Sequence, residues 1–404
     1  MQSIALCTHP PDVSAVDLNA CMTGGKHYVS LGPEFDAARA GKPRWQWLAH
    51  LLRAQGLVCE RADDDNLGKP GAFSLLIRSD PAAVKDLRWR LRIPTDADAM
   101  DCHRLFEKAF GEPAIAALWR WKYANNRGRS IIAVRGERVI AHYGGVSRRV
   151  YRNGRIEKAI QITDVMVDPA ERAVMTRSGA FLQVARASQE YFLGYEAEHD
   201  FGFGFPNQRH MLLAHRLGLY DEVERLVEME WSAQPVSATL LTRAEVVDPY
   251  RLDPRRVDAL WQRMSAGLVE RILVARDAGY WFYRYAENPS AHYVMLAIRH
   301  KLSRRVLGLM VLRRKEHEVQ LLDVLAAPKY FRLLARHAQA QAAEWGVPVV
   351  HAWITRCSAH WFETPGVRVN QTDIVIPLNA HLRLHATDEI RDRWFLMMGD
   401  TDFL

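Results

Sequence analysis

The residues best suited to chemistry gather on one stretch of the chain. Ile162-Thr-Asp-Val-Met-Val-Asp-Pro169 is followed by Arg172, Arg177, Ser178, Gly179 and Ala180, and then by an amphipathic run to Tyr191. The pattern reads as a strand, a Gly/Arg loop and a helix. Such a loop aims free backbone N–H groups and a helix N-terminus at an anion. That geometry suits the pyrophosphate of a nucleotide-like cofactor. Arg172 and Arg177 flank the loop, and arginine binds phosphate through its charge and its planar fork; otherwise they are two exposed loop arginines. Asp164 stands on the strand just ahead of the loop. A carboxylate there could act as a base, directly or through water, or could hydrogen-bond a neighbouring loop. Asp168 lies on the same path, and equally reads as a turn residue before Pro169.

Other candidates have two readings each. Asn207 follows Pro206 at a strand end, where it could bond a cofactor or a substrate water, or cap a helix. His142, Tyr143 and His199 could line an acceptor site; a lone histidine is more often structural. Trp119, Trp121 and Tyr123 fall on a helix, where core packing accounts for them and an acceptor wall is the other option. Five cysteines are widely spaced with no C-x-x-C pair, which argues against a disulfide framework or a zinc site. No metal is expected.

These residues need a scaffold, and punctuation in the sequence outlines one. Arg90 to Ile93 is strand-like, and Pro94-Thr-Asp-Ala-Asp caps a helix running to about Phe110. The aromatic helix around Trp119 follows. Strands are expected at Ser130 to Val134, Arg138 to Val146, Val150 to Arg152 and Glu157 to Val167, the last two joined by an Asn153-Gly154 hairpin turn. After the loop and its helix, Asp200 to Phe205 is another strand. Pro206-Asn207 opens a helix that stops at Leu217-Gly218. Before residue 89, Ser3 to Cys7 and Phe73 to Ile77 are expected as strands, and Trp45 to Gln55 has helical apolar spacing.

A weaker echo returns downstream. Trp121-Lys-Tyr-Ala-Asn-Asn126 resembles Tyr283-Arg-Tyr-Ala-Glu-Asn288, Val139-Ile-Ala resembles Val306-Leu-Gly, and Asp164-Val-Met-Val-Asp-Pro169 resembles Asp323-Val-Leu-Ala-Ala-Pro328. Three matches in one order at similar offsets favour an ancient duplication. In the second copy Pro328 runs straight into Lys329-Tyr-Phe-Arg-Leu-Leu, with no glycine to free the backbone, so this copy is expected to bind no such cofactor. The expected units are 1–88, of unassigned role, 89–232 and 233–404.

Bulk properties narrow the class. At 404 residues the chain is too long for one ordinary core. Its net charge of +7 is carried by scattered arginines, with no Lys/Arg block of five or more, so a nucleic-acid tract is not expected. The N-terminus lacks a basic region followed by an apolar core, and no run of about 18 apolar residues suggests a membrane span. A cytoplasmic location is the resulting expectation. The apolar tail from Trp394 to Leu404 is expected to be docked rather than frayed.

The element order, together with Val165 to Pro169, Arg177-Ser-Gly-Ala-Phe181 and Phe205-Pro-Asn207 followed by Leu217-Gly218-Leu219, resembles the GNAT acyltransferase superfamily. The first motif looks like the family's central strand, the second a degenerate form of its Arg/Gln-x-x-Gly-x-Gly/Ala loop, and the third its later strand and helix. The likeness covers roughly 90 to 230 and, through the duplication, extends weakly over 235 to 404. It implies an α/β (α+β) fold: two GNAT-like domains with central mixed sheets flanked by helices, plus a small N-terminal α/β unit.

The resemblance also implies an activity. Acetyl-CoA, or another acyl-CoA, would lie in a splay between two parallel strands and pass its acyl group to an amine of a small molecule or an aminosugar. Met166, Val167 and Asp168 would line the pantetheine; Arg172, Arg177, Ser178, Gly179 and Ala180 would meet the pyrophosphate. Two features depart from the family. The loop from Glu171 to Ala180 is longer than usual. Ala214 stands where many members place a tyrosine that protonates the thiolate, so His215 or Tyr220 would have to substitute. Some tandem members place the terminal carboxylate in the site, which here would be that of Leu404. Two other readings stay open: an aminoacyl-tRNA-dependent transferase of the peptidoglycan-bridge type, and a non-catalytic acyl-CoA-binding or scaffold protein.

Overall fold

The computed structural model describes residues 89–172, 179–193, 198–235, 241–290, 292–379 and 387–401, with short pieces before them at 3–5, 26–31, 38–39, 42–43, 45, 49, 57–62 and 73–79. The N-terminal pieces include a four-stranded sheet in the order Ser3–Ala5, Lys26–Leu31, Phe73–Ser79, Leu57–Ala62. Strands are thus present at both N-terminal sites where they were expected. Of the expected helix over Trp45 to Gln55, only Trp45 and Ala49 are described, both helical.

The first half follows the punctuation of its sequence. Strand β1 (Arg90–Arg92) leads to α1 (Ala99–Phe110). The cap at its entry is Thr95, whose backbone N–H and hydroxyl both donate to Asp98. Then come α2 (Ala116–Tyr123), β2 (Gly128–Arg135), β3 (Arg138–Arg152) and β4 (Arg155–Val167). Asn153 and Gly154 both have positive φ, so the β3–β4 hairpin closes in two residues. After the loop come α3 (Ala180–Phe192), β5 (Phe201–Gly204), α4 (Gln208–Arg216) and β6 (Tyr220–Ser232). The α4 helix ends on Gly218 at φ +69, with Leu219 N–H donating to Ala214 O, the stop signalled by Leu217-Gly218.

One expectation fails here. Arg138 to Val146 and Val150 to Arg152 are not separate strands; β3 runs unbroken for 15 residues. Ser147-Arg-Arg149 breaks the apolar alternation, yet all three stay paired with β4. Their side chains find polar partners: Arg148 donates to Gln161, and Arg149 pairs with Asp277. Periodicity cannot foresee partners supplied by distant elements.

The second half follows a similar element order, with a further short strand between its first two helices. It comprises β7 (Thr242–Val246), α5 (Pro254–Gly267), β8 (Ile272–Val274), α6 (Ala278–Trp281), β9 (Val294–His300), β10 (Val306–Arg314), β11 (Val319–Ala326), α7 (Phe331–Glu344), β12 (Val349–Thr355), β13 (Arg368–Asn379) and β14 (Trp394–Phe395). The halves exchange strands. In the first sheet β5, β4 and β3 lie side by side; the far edge of β3 pairs β2 along one part and β8 along another, and β14 joins β8. In the second sheet the order is β7-β9-β10-β11-β12-β6-β13, so β6 of the first half is built into the sheet of the second. Phe201, Phe203, Leu226, Ile272, Ile376 and Trp394 form one buried cluster across this join.

Successive residues of β2 serve opposite faces of the first sheet. Ile132 and Val134 pack under α1 with Cys102, Leu105 and Met166; Ile131 and Ala133 pack under α3 with Leu182 and Ala185. The described part of the tail is docked, with Trp394 through Asp400 buried; Asp402 to Leu404, and with them the Leu404 carboxylate, lie outside the described residues.

One buried histidine links this packing to pH. His337 on α7 bonds Thr242 Oγ1 at 2.9 Å, and burial pushes its imidazole down to about 4. Histidine in an unfolded chain titrates near 6.5. Between these values the unfolded chain takes up a proton that the folded chain refuses. Stability from this group is therefore present above about pH 6.5 and lost as pH falls, with a slope of up to ~1.4 kcal/mol per pH unit. Replacing His337 by Gln should shrink the fall in thermal midpoint between pH 7 and 4.5. Parallel melting-point curves for the two proteins would refute this.

Candidate active site

The parallel pairing of β4 with β5 lasts four residue pairs, Ala159–Phe201 to Ile162–Gly204, and then stops. β4 continues to Val167, so the two strands diverge beyond Ile162. Among the described residues β4 pairs only with β3 and β5. The β5-side edge of Asp164 to Val167 thus presents strand backbone that pairs with no described strand. Helix α3 begins beside the same sheet. Gly179 is its N-cap and lends no side chain, so the first-turn N–H groups have no cap from that residue. Arg177 and Ser178 lie outside the described residues.

The bulge in β4 is the most heavily bonded point of the site. The β3–β4 register slips between Thr163 and Met166, and Asp164 takes φ +50 there. Lys122 Nζ lies 2.9 Å from Asp164 Oδ1, and Tyr123 Oη donates to Oδ2 at 2.8 Å. Burial pushes the Asp164 carboxyl up, but the Lys122 ammonium and the donated hydrogen bonds outweigh it and hold Asp164 below the usual carboxylate range. His142 Nδ1 donates to Asp164 O at 2.6 Å, and burial pushes this imidazole down, so it is neutral. The ring packs against Trp119 and Tyr123. Gly144 makes room: a Cβ there would fall 2.3 Å from Tyr123 Oη.

The other predicted residues spread around this centre. Met166 points into the core under α1, and Val167 packs on the α3 side. Asp168 caps the short turn Pro169–Glu171 by accepting from Ala170 N–H at 3.0 Å, and it faces Lys108 and Arg138. Arg172 donates to Val167 O and Ala109 O, tying the end of β4 to the end of α1. Ala180 is buried in the first turn of α3. Asn207 Oδ1 accepts from His210 N–H as the cap of α4. His215 is turned toward Tyr220 O and Asp221. The Tyr220 hydroxyl is buried without a hydrogen-bond partner among the described residues, in the same cluster as Ala180. His199 bonds Ser147 and Phe192 O at the start of β5, the end away from the splay. The Tyr143 side chain faces α3, opposite His142.

Sequence reasoning overlooked Lys122. Its signal was the basic residue shared by Trp121-Lys-Tyr and Tyr283-Arg-Tyr, where the aromatic residues drew the attention. Trp121 and Tyr283 occupy matching places in the two repeats and meet each other. Their rings stack at 4.5 Å, Trp121 Nε1 donates to Tyr283 O, and Tyr283 Oη donates to Trp121 O.

The second half differs at both of these features. Helix α7 follows β11 through the short turn Pro328–Tyr330. The gap beyond the brief β11–β12 pairing is filled by the tail: Ile354 bridges Met397, Thr355 N–H donates to Leu396 O, and a Cβ on Gly399 would fall 2.8 Å from Leu322 O.

Comparison with known proteins agrees with this geometry. Residues 90–206 match the family described as an acetyltransferase (GNAT) domain. No curated protein matches the sequence. Among solved structures, the chain is similar to a conserved protein of unknown function from Enterococcus faecalis V583, described as a probable N-acyltransferase, at 12% identity with 74% of each chain covered and a TM-score of 0.57. It is similar to a GCN5-related N-acetyltransferase from Anabaena variabilis at 11% identity, covering 72% of this chain and 73% of that one, TM-score 0.55. A third, from Kribbella flavida, gives 14% identity, 72% and 71% coverage and a TM-score of 0.50. At these identities the likeness is one of fold: a mixed α/β architecture of the GNAT type, with sheets flanked by helices.

Proposed function

We propose that the chain is an acyl-CoA-dependent N-acyltransferase in which two GNAT-like units derive from a duplication and only the first holds the cofactor. The observation that carries this reading is the divergence of β4 from β5 beside the start of α3, where Gly179 lends no capping side chain. The edge of Asp164 to Val167, paired with no described strand, offers backbone groups to an extended amide-bearing arm, and the N–H groups at Gly179 and Ala180 offer an anion site. Arg177 and Ser178 would add to that site. Arg172 is spent on backbone carbonyls, so its role is to hold the loop's entry in place. Bound acyl-CoA would supply an activated thioester carbonyl to an amine, with acetyl-CoA the first candidate and a small-molecule amine or aminosugar the acceptor. Tyr220 Oη holds a buried proton that no described group accepts, which suits it to the part left vacant by Ala214. Duplication is supported by the matched Trp121–Tyr283 contact, which is reciprocal as a two-fold relation requires.

The test is calorimetric titration with acetyl-CoA, beside CoA and a longer acyl-CoA. Saturable binding at one site per chain is expected, because the tail occupies the second gap. Two sites per chain would contradict that assignment, and no binding to any of the three would reject the cofactor.

A further inference from the structure

Strand β3 carries four arginines, and three of them meet a carboxylate: Arg138 with Asp168, Arg149 with Asp277 and Arg152 with Glu157. Arg148 meets none among the described residues. Its Nε donates to Gln161 Oε1 at 2.8 Å, an acceptor without charge, and its two Nη atoms have no hydrogen-bond partner there. Yet Arg148 is half-buried. Its guanidinium has given up part of its hydration for one neutral bond, a cost that an incoming anion would offset.

The surroundings hold this fork in place. Gln161 is 1% exposed, and its Nε2 donates to Asp400 O at 2.8 Å, which fixes the end of the amide that faces Arg148. The guanidinium carbon lies 5.9 Å from the centre of the Tyr280 ring and 5.8 Å from that of Tyr283. The Tyr280 hydroxyl makes no hydrogen bond among the described residues. Burial and the nearby Asp400 push this phenol up, so it keeps its proton and can donate. The Asp400 carboxylate itself is turned to Arg276.

The place of the fork gives it a use. Arg148 pairs with Ala159, so its side chain is the diagonal neighbour of Gln161 across β3 and β4. Gln161 lies two residues before Thr163 on the same face of β4, about 7 Å along the strand. Strand β4 leaves β5 just after Ile162. A small acceptor whose amine stands at the mouth of the splay can therefore reach Arg148 with its other end.

We propose that Arg148, with the Tyr280 hydroxyl beside it, binds a carboxylate of the acceptor, so that the acceptors are amines that carry a carboxylate, such as amino acids. A carboxylate matches the planar fork with two parallel bonds. One guanidinium and one hydroxyl are few donors for the three oxygens of a phosphate. This rests on the acyltransfer reading above and narrows its acceptor.

The experiment offers amino acids, their amides and the phosphate esters of the matching amino alcohols as acceptors for acetyl-CoA, followed by release of free CoA. The wild type should prefer the acid over its amide by at least about tenfold in kcat/KM, the worth of one charge-assisted hydrogen bond. Arg148→Met should bring the two within about twofold and leave acetyl-CoA affinity by calorimetry unchanged. Arg148→Lys keeps the charge without the fork and should retain part of the preference. Tyr280→Phe preserves the ring and should lose about fivefold for the acid alone; it decides the matter if the Arg148 variants fail to fold. A wild type that takes the amide as readily or prefers the phosphate would overturn the proposal, as would a folded Arg148→Met that keeps the preference. If the wild type binds no acyl-CoA, the acyltransfer reading fails by that result. Equilibrium dialysis of labelled amino acids then tests the carboxylate site by itself, and does so with acetyl-CoA present if the cofactor binds but no amine is turned over. Retention that falls in Arg148→Met supports the site; no retention, or retention unchanged in that variant, sinks it.

Discussion

Replacing Arg276 by Met should cost the protein about 3–5 kcal/mol of stability, the range measured when one partner of a buried ion pair is removed. Arg276 has no exposed surface. Its guanidinium joins Asp323 on β11 at 2.9 Å to Asp400 in the tail at 2.5 Å, and a third bond goes to Val274 O. Without it two carboxylates face each other in a dry interior. Burial already holds the Asp400 carboxyl above the usual range with Arg276 beside it. In the variant the Asp400 carboxyl would lose that cation and be raised further, so the folded state would bind a proton that the unfolded chain releases. The sign of the pH effect follows: the deficit is full at neutral pH and shrinks as pH falls toward 5. A thermal midpoint lowered on the order of 10 °C at pH 7 is expected, with partial recovery at pH 5. A variant that melts with the wild type at pH 7 would show that the tail is not held by this bridge. The consequence reaches the first half, because Gln161 on β4 donates to Asp400 O and Arg148 donates to Gln161.

How much of this could be read beforehand depends on whether the cause is local. The Asn153-Gly154 turn, the Thr95 cap and the Gly218 stop are set by residues within a few positions, and each stands where the sequence put it. Part of the downstream echo has a structural counterpart, because Tyr123 with Asp164 and Tyr285 with Asp323 make the same bond. The exchange of strands was not legible. Nothing in Tyr220 to Ser232 says that its partners are β12 and β13 rather than β5; that choice is made by residues more than a hundred positions away. Arg276 was invisible for the same reason, since a single arginine after a short apolar strand carries no pattern until Asp323 and Asp400 converge on it. At the site, the partners of the candidate residues were hidden. Asp164 had two readings, a base or a hydrogen-bonded strand residue, and nothing near it in the sequence points to Lys122 and Tyr123, some forty residues earlier.

Gly179→Asp should separate binding from folding. Gly179 has φ −68 and ψ 152, an extended N-cap conformation open to any residue. An aspartate there can accept from the first-turn N–H groups and meets the positive end of the helix dipole, a gain over glycine of a few tenths of a kcal/mol. The thermal midpoint should hold or rise slightly. Binding should move the other way. The new carboxylate would consume the N–H groups proposed for the pyrophosphate and set a like charge within a few ångströms of it, which at an effective dielectric near 20 opposes binding by several kcal/mol. Acetyl-CoA affinity should fall by more than about a hundredfold, equivalent to ~2.7 kcal/mol. Gly179→Asn supplies the control, since asparagine caps as well and carries no charge; it should lose about tenfold or less. Equal losses for Asp and Asn would assign the effect to shape and remove the argument for an anion. Wild-type affinity in a folded Gly179→Asp protein would place the pyrophosphate elsewhere, and with it the cofactor path along β4.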